Sequence, residues 1–361
     1  MTPIIKNLAF RIRAIDIPNH RKVHDTRIPR LGGVAVYITF MIVFYGAMFV
    51  AHPKGMEWAF KAGFLRGFAI GSFIIVLLGV IDDIRGLGPL FKLVLQIVAG
   101  VVMYYHGLQI RIIELPYIGA LDLGWTSLPF TLLWIAGITN ALNLIDGLDG
   151  LASGVTFIAT MILFLISLSQ GNAPTALFCA VLGGCIIGFL RYNFNPAQIF
   201  LGDSGALFLG FALANFSIFG AMKSSTAVAL LIPIIALGFP IMDTFLAILR
   251  RSARAMRNGE GWLGLTHIGD ADREHVHHKL IELGYTHRGA VVILYILCLI
   301  FGIFAFILTA YRNEVAATIL FFVGLIVFVF VRTLGYLEFR GLKDGNFLEQ
   351  YLDRIKGKVK K

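Results

Sequence analysis

Long apolar runs separated by short polar stretches dominate this chain. A helix crosses a bilayer with about 20 predominantly apolar residues, and ten runs approach that length. The pattern therefore predicts an all-α polytopic membrane protein with about ten transmembrane helices. The predicted spans lie near residues 31–51, 64–81, 89–107, 126–143, 150–169, 174–191, 204–220, 226–249, 289–311 and 315–335.

The most polar interruption runs from Asn140 to Gly150, between two of these spans. Asn140, Asn143 and Asp146 recur every third residue and so fall on neighbouring faces of a helix end. Gly147 and Gly150 allow the backbone to turn or to approach a ligand closely. Carboxylates beside hydrocarbon are costly unless a cation, water or a polar ligand compensates them. We interpret the stretch as a polar site at the membrane surface, with a helix cap and solvated turn as the alternative.

Composition and charge support the membrane class and orient the chain. Charged residues make up 14% of the sequence, against about 25% in soluble domains. Twenty-four Lys and Arg residues fall on one side of the predicted spans and five on the other. Because the cytoplasmic side retains positive residues, we expect cytoplasmic termini, one membrane domain over 1–335 and a basic tail over 336–361. The net charge of +10 indicates contact with anionic membrane lipid or an anionic substrate, and not with nucleic acid.

This topology places every polar cluster on the cytoplasmic side, whereas independent loops would scatter over both faces. We therefore expect one cytoplasmic active-site cleft. On the opposite side, the alternating polarity of 108–125 predicts a small β-hairpin, with an irregular connection as the alternative. The cytoplasmic clusters are Asp82-Asp83, Asn140–Asp149, Asn193–Ser204 and the histidine-rich loop at 267–278.

Three of these clusters contain further candidate residues. Asp82 and Asp83 repel each other unless a cation lies near, and Lys92 in the next helix is placed to neutralise a carboxylate or hold a phosphate. A solvated turn is the alternative. Asp203 stands at a predicted helix start, where free N–H groups bind the phosphates that accompany magnesium. The alternative is that Asp203 or Ser204 only caps that helix.

The histidine-rich loop precedes the ninth predicted span. His275, His277 and His278 do not match common zinc spacings and have no cysteine nearby. Donors for phosphate and the leaving group, with Arg273 among them, explain the composition better, and a merely solvated loop remains an alternative. Asp243, inside the eighth span, is interpreted as structural support, with a place in the site as the alternative.

Together these groups are suited to magnesium-assisted phosphoryl transfer that involves a lipid at the bilayer surface. The chain contains no P-loop, G-x-S-x-G or H-E-x-x-H motif, so we expect neither ATP hydrolysis, serine hydrolysis nor zinc proteolysis. The non-enzyme alternative is a transporter, because intramembrane carboxylates also mark transport pathways. A transporter would place polar groups along the spans towards both faces.

Five ordered motifs resemble those of the polyprenyl-phosphate N-acetylhexosamine-1-phosphate transferases, in the WecA/TagO branch. The resemblance implies a helical bundle in the bacterial inner membrane with a cytoplasmic cleft. It implies transfer of a sugar-1-phosphate, with GlcNAc-1-phosphate favoured, from a UDP-N-acetylhexosamine to undecaprenyl phosphate, with UMP as the second product. It also implies a magnesium cofactor, with manganese as the alternative, and a homodimer is kept as the candidate assembly. The motifs are Asp16 to His24 with Ile28 to Gly33, Asp82-Asp83, Asn140 to Gly150, Phe200 to Gly205 and Asp272 to His278.

The resemblance also implies roles for individual residues. Asp203 resembles the principal metal ligand, and Asp82 and Asp83 resemble an acidic pair that prepares the lipid phosphate or supports the metal. Phe200 resembles a group that stacks on uracil. The other expected catalytic residues are Asp146, Asp149 and His278, and the other expected substrate-binding residues are Asp16, Lys92, Asn140, Asn143, Asn195, Arg273, His275 and His277.

The chain departs from the branch in one respect. Members of the branch carry a further span before the Asp16 motif, whereas here fifteen residues precede Asp16 and they are too basic to span. The spelling of the loop from Asp272 to His278 favours this branch over the phospho-MurNAc-pentapeptide transferase (MraY) branch, which has a run of three consecutive histidines. That branch remains the alternative enzyme class.

Overall fold

The computed structural model describes residues 1–16, 27–51, 63–115, 119–222, 231–257, 275–310 and 313–333. The chain forms two compact units, Met1–Ile319 and Leu320–Lys361, and the described part of the second unit is the end of a helix. In the described residues the helices are α1 (Thr2–Arg11), α2 (Gly32–Ala51), α3 (Phe64–Arg85), α4 (Pro89–Tyr105), α5 (Ser127–Leu144), α6 (Leu151–Ser169), α7 (Ala173–Asn193), α8 (Gly202–Ala221), α9 (Leu231–Ala236), α10 (Gly238–Arg257), α11 (Val276–Glu282), α12 (His287–Ala310) and α13 (Asn313–Thr333).

Six helices in the described residues are long and apolar enough to cross a membrane. They are α3, α5, α6, α7, α8 and α12, and shorter apolar stretches occur in α2, α4 and α13. The chain is therefore an all-α, multi-pass membrane protein, as predicted. The count of ten spans remains a prediction.

The helix within the predicted span near 226–249 is interrupted at one residue. Helix α9 ends at Ala236, Leu237 forms a turn, and α10 begins at Gly238 and continues to Arg257. Pro240 explains the break, because it has no N–H to bond to the carbonyl of Ala236 and its ring clashes with that carbonyl in a continuous helix.

Helix α1 was not predicted, because the only expectation for the residues before Asp16 was that they are too basic to span. Ile5 and Ala9 nevertheless pack against Leu31 and Ala35 of the following segment and form a small apolar cluster. Tertiary packing therefore orders a ten-residue helix that is too short to be stable alone.

Helix α8 lies at the centre of the bundle and contacts α2, α3, α5, α6 and α7. All its residues from Ser204 to Phe219 are buried, which fits a helix that is apolar on every face. Gly79 of α3 makes one close approach possible, because a Cβ there would lie 2.3 Å from the Cα of Ser204. The start of α8 is thereby held directly against α3.

Two short hairpins complete the described fold. Strand β1 (Ile15–Asp16) pairs with β2 (Ile28–Pro29), and β3 (Ile112–Leu115) pairs antiparallel with β4 (Gly119–Asp122). The β3–β4 pair confirms the predicted hairpin within 108–125. It connects the end of α4 to α5, so it lies at the opposite end of these helices from Asp82 and Lys92.

Candidate active site

The polar clusters predicted to converge do meet at one end of the bundle. The ends of α3, α5 and α7 meet the starts of α4, α6 and α8 there. Most contacts in this region join residues far apart in the sequence, so the site depends on the packing of the whole bundle.

Asp83 caps the start of α8 from another helix. Its Oδ1 accepts a hydrogen bond from the backbone N–H of Asp203 at 2.8 Å, and its Oδ2 accepts one from Ser204 at 3.1 Å. Gly202 permits this contact, because a Cβ there would lie 2.7 Å from both carboxylate oxygens. The alternative that Asp203 or Ser204 caps α8 is therefore wrong. Two of the helix N–H groups that were expected to bind phosphate are bonded to Asp83 instead.

Asp82 faces a different helix from Asp83. Its Oδ2 accepts a hydrogen bond from Lys92 Nζ at 2.7 Å, and its Oδ1 accepts one from the backbone N–H of Leu87 at 2.5 Å. Lys92 Nζ also lies 4.0 Å from Asp203 Oδ1. The ammonium group therefore lies between two carboxylates, as expected for Lys92 from the sequence.

Helix α5 ends in the polar stretch predicted for it. The Nδ2 of Asn143 donates to Asp203 Oδ1. Asn140 instead forms a reciprocal amide pair with the buried Gln96 of α4, and its Nδ2 also donates to the carbonyl of Ala136. Asn143 thus orients Asp203, whereas the amide of Asn140 is occupied within the bundle.

Asp146 lies in the turn after α5, among other acidic groups. Burial raises the pKa of its carboxyl well above the usual value, the carboxylates of Asp203 and Asp83 raise it further, and the guanidinium of Arg30 opposes this shift. A cation bound beside Asp146 would reverse the balance and favour the ionised form.

Asp149, at the end of the same turn, binds the loop between α7 and α8. Its Oδ2 accepts hydrogen bonds from Asn195 Nδ2 and from the backbone N–H of Ala197, both at 3.0 Å. Arg288 donates to the carbonyl of Asn195, and the hydroxyl of Tyr295 donates to the carbonyl of Gly150 at 2.6 Å. Helix α12 therefore fixes both loops of the site.

Asp16 and Phe200 are placed through the β1–β2 hairpin. Arg30 Nη2 donates to Asp16 Oδ1, and Asp16 is buried. The backbone N–H of Phe200 donates to the carbonyl of Pro29 at 2.9 Å, and its carbonyl accepts from Gly32 at 3.0 Å. The hairpin thus lies directly beside the loop that leads to Asp203.

The histidines occupy different environments. His275 Nδ1 lies 2.8 Å from Asp243 Oδ2, and Asp243 Oδ1 accepts from the backbone N–H of Val276, which confirms the supporting role of Asp243. His277 is buried against Gly147, where a Cβ would lie 2.2 Å from Nε2. Burial, together with the neighbouring His278, lowers the pKa of His277 to about 3. His277 is therefore neutral near pH 7, and its expected contact with the substrate stays a prediction.

His278 is partly buried, with its ring centroid 4.2 Å from that of His277. Lys279, which follows His278, pairs with Glu282. Arg273 and the preceding part of the loop, together with the tail over 336–361, lie outside the described residues.

The acidic groups fit magnesium in one specific way. Among the described residues, no three His, Cys, Asp or Glu side chains are grouped as metal ligands. The Asp203 side chain is 29% exposed, so its carboxylate is accessible. Magnesium commonly binds one or two carboxylates and completes its shell with water and substrate phosphate oxygens. The donor set therefore fits a metal ion that substrate phosphate helps to hold.

Four residues in this region were not singled out as site residues from the sequence: Arg30, Gln96, Arg288 and Tyr295. Gln96 carried a recognisable signal, because a polar side chain inside a predicted span usually faces protein. Arg30 lay inside a matching motif but has no distinctive spacing. Arg288 and Tyr295 follow the loop and give no local sign of the loops they bind.

Comparison with known proteins finds relatives that are named as transferases for polyprenyl phosphates. Residues 65–221 match the profile of glycosyl transferase family 4. The chain is 37% identical to the probable undecaprenyl-phosphate N-acetylglucosaminyl 1-phosphate transferase of Bacillus subtilis, over 96% of this chain and 90% of that protein. It is 34% identical to the decaprenyl-phosphate N-acetylglucosaminephosphotransferase of Mycobacterium leprae, over 82% of this chain and 77% of that protein. It is 31% identical to the phospho-N-acetylmuramoyl-pentapeptide-transferase of Clostridium perfringens strain 13, over 84% of this chain and 91% of that protein.

Proposed function

The chain belongs to the polyprenyl-phosphate hexosamine-1-phosphate transferase family, and from this premise we propose that it transfers GlcNAc-1-phosphate from UDP-GlcNAc to undecaprenyl phosphate. The products are undecaprenyl-diphosphate-GlcNAc and UMP. The names of the Bacillus and Mycobacterium relatives support this donor and a polyprenyl acceptor. Such a step begins the synthesis of a cell-envelope polysaccharide on a lipid carrier.

The observation that carries the proposal is an apolar groove beside the polar site. The groove has a volume of about 530 Å³ and is lined almost entirely by apolar side chains of α5, α9 and α10, of β3 and of the segment before β3. Its lining includes Trp134, Gly137 and Ala141 of α5. Asn143, which binds Asp203, lies on the same helix within one turn of Ala141. A polyprenyl chain in the groove would therefore bring its phosphate to the end of α5 at which Asn143 meets Asp203.

The reaction is a direct displacement at phosphorus. An oxygen of the polyprenyl phosphate attacks the phosphorus that bears the sugar, the bond to the bridging oxygen breaks, and UMP departs with that oxygen. Lys92 is placed to stabilise phosphate charge, and Asn143 orients Asp203. No covalent sugar-phosphate on the protein is needed, because both substrates reach one site.

We assign Asp203 as the residue that would bind magnesium, with manganese as a substitute. The bound metal would neutralise phosphate charge. Asp82 and Asp83 support Asp203 through Lys92 and through the start of α8, and Asp146 and Asp149 shape the adjoining loops. His278 and Arg273 remain proposed contacts of the nucleotide sugar.

The proposal includes a membrane topology. We place ten spans in the bacterial inner membrane, with both termini and the active-site cleft in the cytoplasm, on the basis of the asymmetry of Lys and Arg. A homodimer remains a prediction. Labelling of a cysteine introduced at position 270 from the periplasmic side alone would contradict the topology.

The reaction is tested by measuring UMP release from UDP-GlcNAc by purified protein in nanodiscs, with and without undecaprenyl phosphate. We expect release that depends on the lipid and on magnesium. Release only from UDP-MurNAc-pentapeptide would assign the chain to the chemistry named for the Clostridium relative. No release from either donor would refute transferase function and favour a transporter.

The groove is tested by filling it. Gly137 has open space where a Cβ would lie, so Gly137→Leu should place a side chain in the groove without a clash inside the bundle. We expect a higher KM for undecaprenyl phosphate and an unchanged KM for UDP-GlcNAc. Gly184→Leu, on α7 and also in open space, is the matched control. Unchanged lipid kinetics in Gly137→Leu would contradict the groove as the lipid site.

A further inference from the structure

Arg30 and Asp16 form an ion pair with unequal exposure. The side chain of Asp16 is 8% exposed, whereas that of Arg30 is 34% exposed. The contact with Asp16 Oδ1 uses Arg30 Nη2, and a guanidinium group has five N–H donors in all. Asp16 thus binds one terminal nitrogen of a guanidinium group whose side chain remains partly exposed.

The backbone around Arg30 is fixed against the loop before α8. Besides the two hydrogen bonds between Phe200 and the segment Pro29–Gly32, the N–H of Gly33 donates to the carbonyl of Leu201 at 2.8 Å. Leu31 has a φ of 80°, which a residue with a side chain seldom adopts without tertiary support. Arg30 is therefore held in a defined position beside Phe200.

A close approach of two helices extends this contact to the start of α8. A Cβ on Gly33 would lie 2.0 Å from the Cα and N of Gly205, so α2 and α8 touch at their first turns. Asp203 lies two residues before Gly205. The positive charge of Arg30 also reaches Asp146, where it opposes the effects of burial and of the neighbouring carboxylates.

The charges of the site call for a second cation. The carboxylates of Asp83, Asp149 and Asp203 all act on Asp146, so the proposed function requires an acidic region to accept a diphosphate. Lys92 is already paired with Asp82 and near Asp203. A planar guanidinium that a buried carboxylate binds at one nitrogen is suited to bind phosphate oxygens through two parallel N–H groups.

We propose that Arg30 binds the diphosphate of the nucleotide sugar, and that Asp16 is the positioning residue that holds it, not itself a substrate contact. This inference rests on the proposed function for the identity of the donor. Arg30 is assigned to the nucleotide sugar because it adjoins Phe200, the residue expected to stack on uracil. Lys92, in contrast, pairs with Asp82 on α3. The recognised chemistry is a nucleoside diphosphate.

Direct binding of UDP to the full-length protein in nanodiscs tests the proposal without requiring turnover. Arg30→Gln should raise the Kd of UDP about tenfold to a hundredfold, because hydrogen bonds to charged groups are worth that range. Arg30→Lys should retain part of the affinity, because it keeps the charge but loses the planar fork. Arg111→Gln is the matched control, because Arg111 binds Gln109 beside β3, at the other end of the bundle.

Asp16→Asn separates positioning from a purely structural ion pair. We expect it to raise the Kd of UDP less than Arg30→Gln does, and the KM of undecaprenyl phosphate to change less than twofold in both variants. If the pair is only structural, both variants will lower Tm and leave the Kd of UDP unchanged in the folded protein, and the proposal is overturned.

Failure of this inference can be told apart from failure of the proposed function. A wild-type protein that releases UMP, with an Arg30→Gln variant that binds UDP normally, refutes the role of Arg30 alone. A wild-type protein that binds UDP, loses that affinity in Arg30→Gln and yet releases no UMP supports the role of Arg30 and refutes the transferase reaction. A wild-type protein that releases UMP but does not bind UDP refutes the role of Arg30 alone, and one that neither binds UDP nor releases UMP refutes both.

Discussion

Substitution of Asp83 tests whether this residue acts as a proton acceptor in the reaction or holds the start of α8 in place. Both of its oxygens accept backbone N–H groups, from Asp203 and Ser204. Asp83→Asn keeps the shape of the side chain but leaves one oxygen and turns an NH₂ group towards an N–H donor. We expect the variant to lose stability and to shift Asp203, so that Tm and UMP release fall together.

The expected loss follows from the contacts. Asp83 is 8% exposed, so solvent cannot replace the lost acceptor. One lost charge-assisted hydrogen bond and one unpaired buried donor together amount to about 2–4 kcal/mol. Because the unfolding entropy grows with chain length, thermal unfolding in detergent should show Tm lowered by roughly 3–5 °C for a chain of this size.

Gly202→Ala perturbs the same contact without changing charge. Its Cβ would lie 2.7 Å from both oxygens of Asp83, and its φ is 73°. Gly171→Ala is the matched control, because Gly171 has a φ of 67° and open space around it. Both alanines bear the backbone penalty of about 1–2 kcal/mol, so a greater loss of Tm and activity in Gly202→Ala isolates the contact with Asp83.

The opposite pattern would refute this reasoning. If Asp83 acts only as a proton acceptor, Asp83→Asn will abolish UMP release at an unchanged Tm. In that case Gly202→Ala will behave like Gly171→Ala in both measurements.

The remaining predictions concern three other residues. Asp203→Asn should stay folded but lower UMP release at least about 100-fold, because its side chain does not cap α8; near-normal release at limiting magnesium would contradict this. The pKa of His277 is about 3 in the folded protein and about 6.5 when unfolded, so the unfolded chain binds more protons and stability should fall as pH drops below about 6.5. His277→Asn should therefore flatten the dependence of Tm on pH between 7 and 5, and an unaltered slope would count against the burial. Tyr295→Phe should lose about 1 kcal/mol of stability and slow UMP release, and equal Tm and rate would show that its bond to Gly150 is dispensable.

The sequence predicted most helices well because their signal is local. An apolar run flanked by polar residues marks a span whatever its neighbours are, and Gly147 and Gly150 marked the turn between α5 and α6. The broken α9–α10 region shows the limit of that signal. Its residues from Leu231 to Met242 carry no charge, so hydropathy does not mark the break at Leu237, which follows from the backbone restriction of Pro240.

The different hydrogen-bond partners of Asp82 and Asp83 could not be predicted from local sequence. Adjacent residues on a helix point about 100° apart, so the two carboxylates must face different neighbours. Which neighbour each meets depends on the packing of α3 against α4 and α8. Arg288 and Tyr295 were missed for the same reason, since they bind residues 93 and 145 positions away in the chain.

These contacts also narrow the candidates for ligand binding. The oxygens of Asp83 are bonded to the start of α8, those of Asp82 to Lys92 and Leu87, and one oxygen of Asp149 to Asn195 and Ala197. Asp203, which Asn143 orients and which remains partly exposed, is thus a carboxylate whose placement leaves it available to a cation. We infer that the other carboxylates position Asp203 and the adjoining loops, because most of their oxygens already accept hydrogen bonds from protein donors.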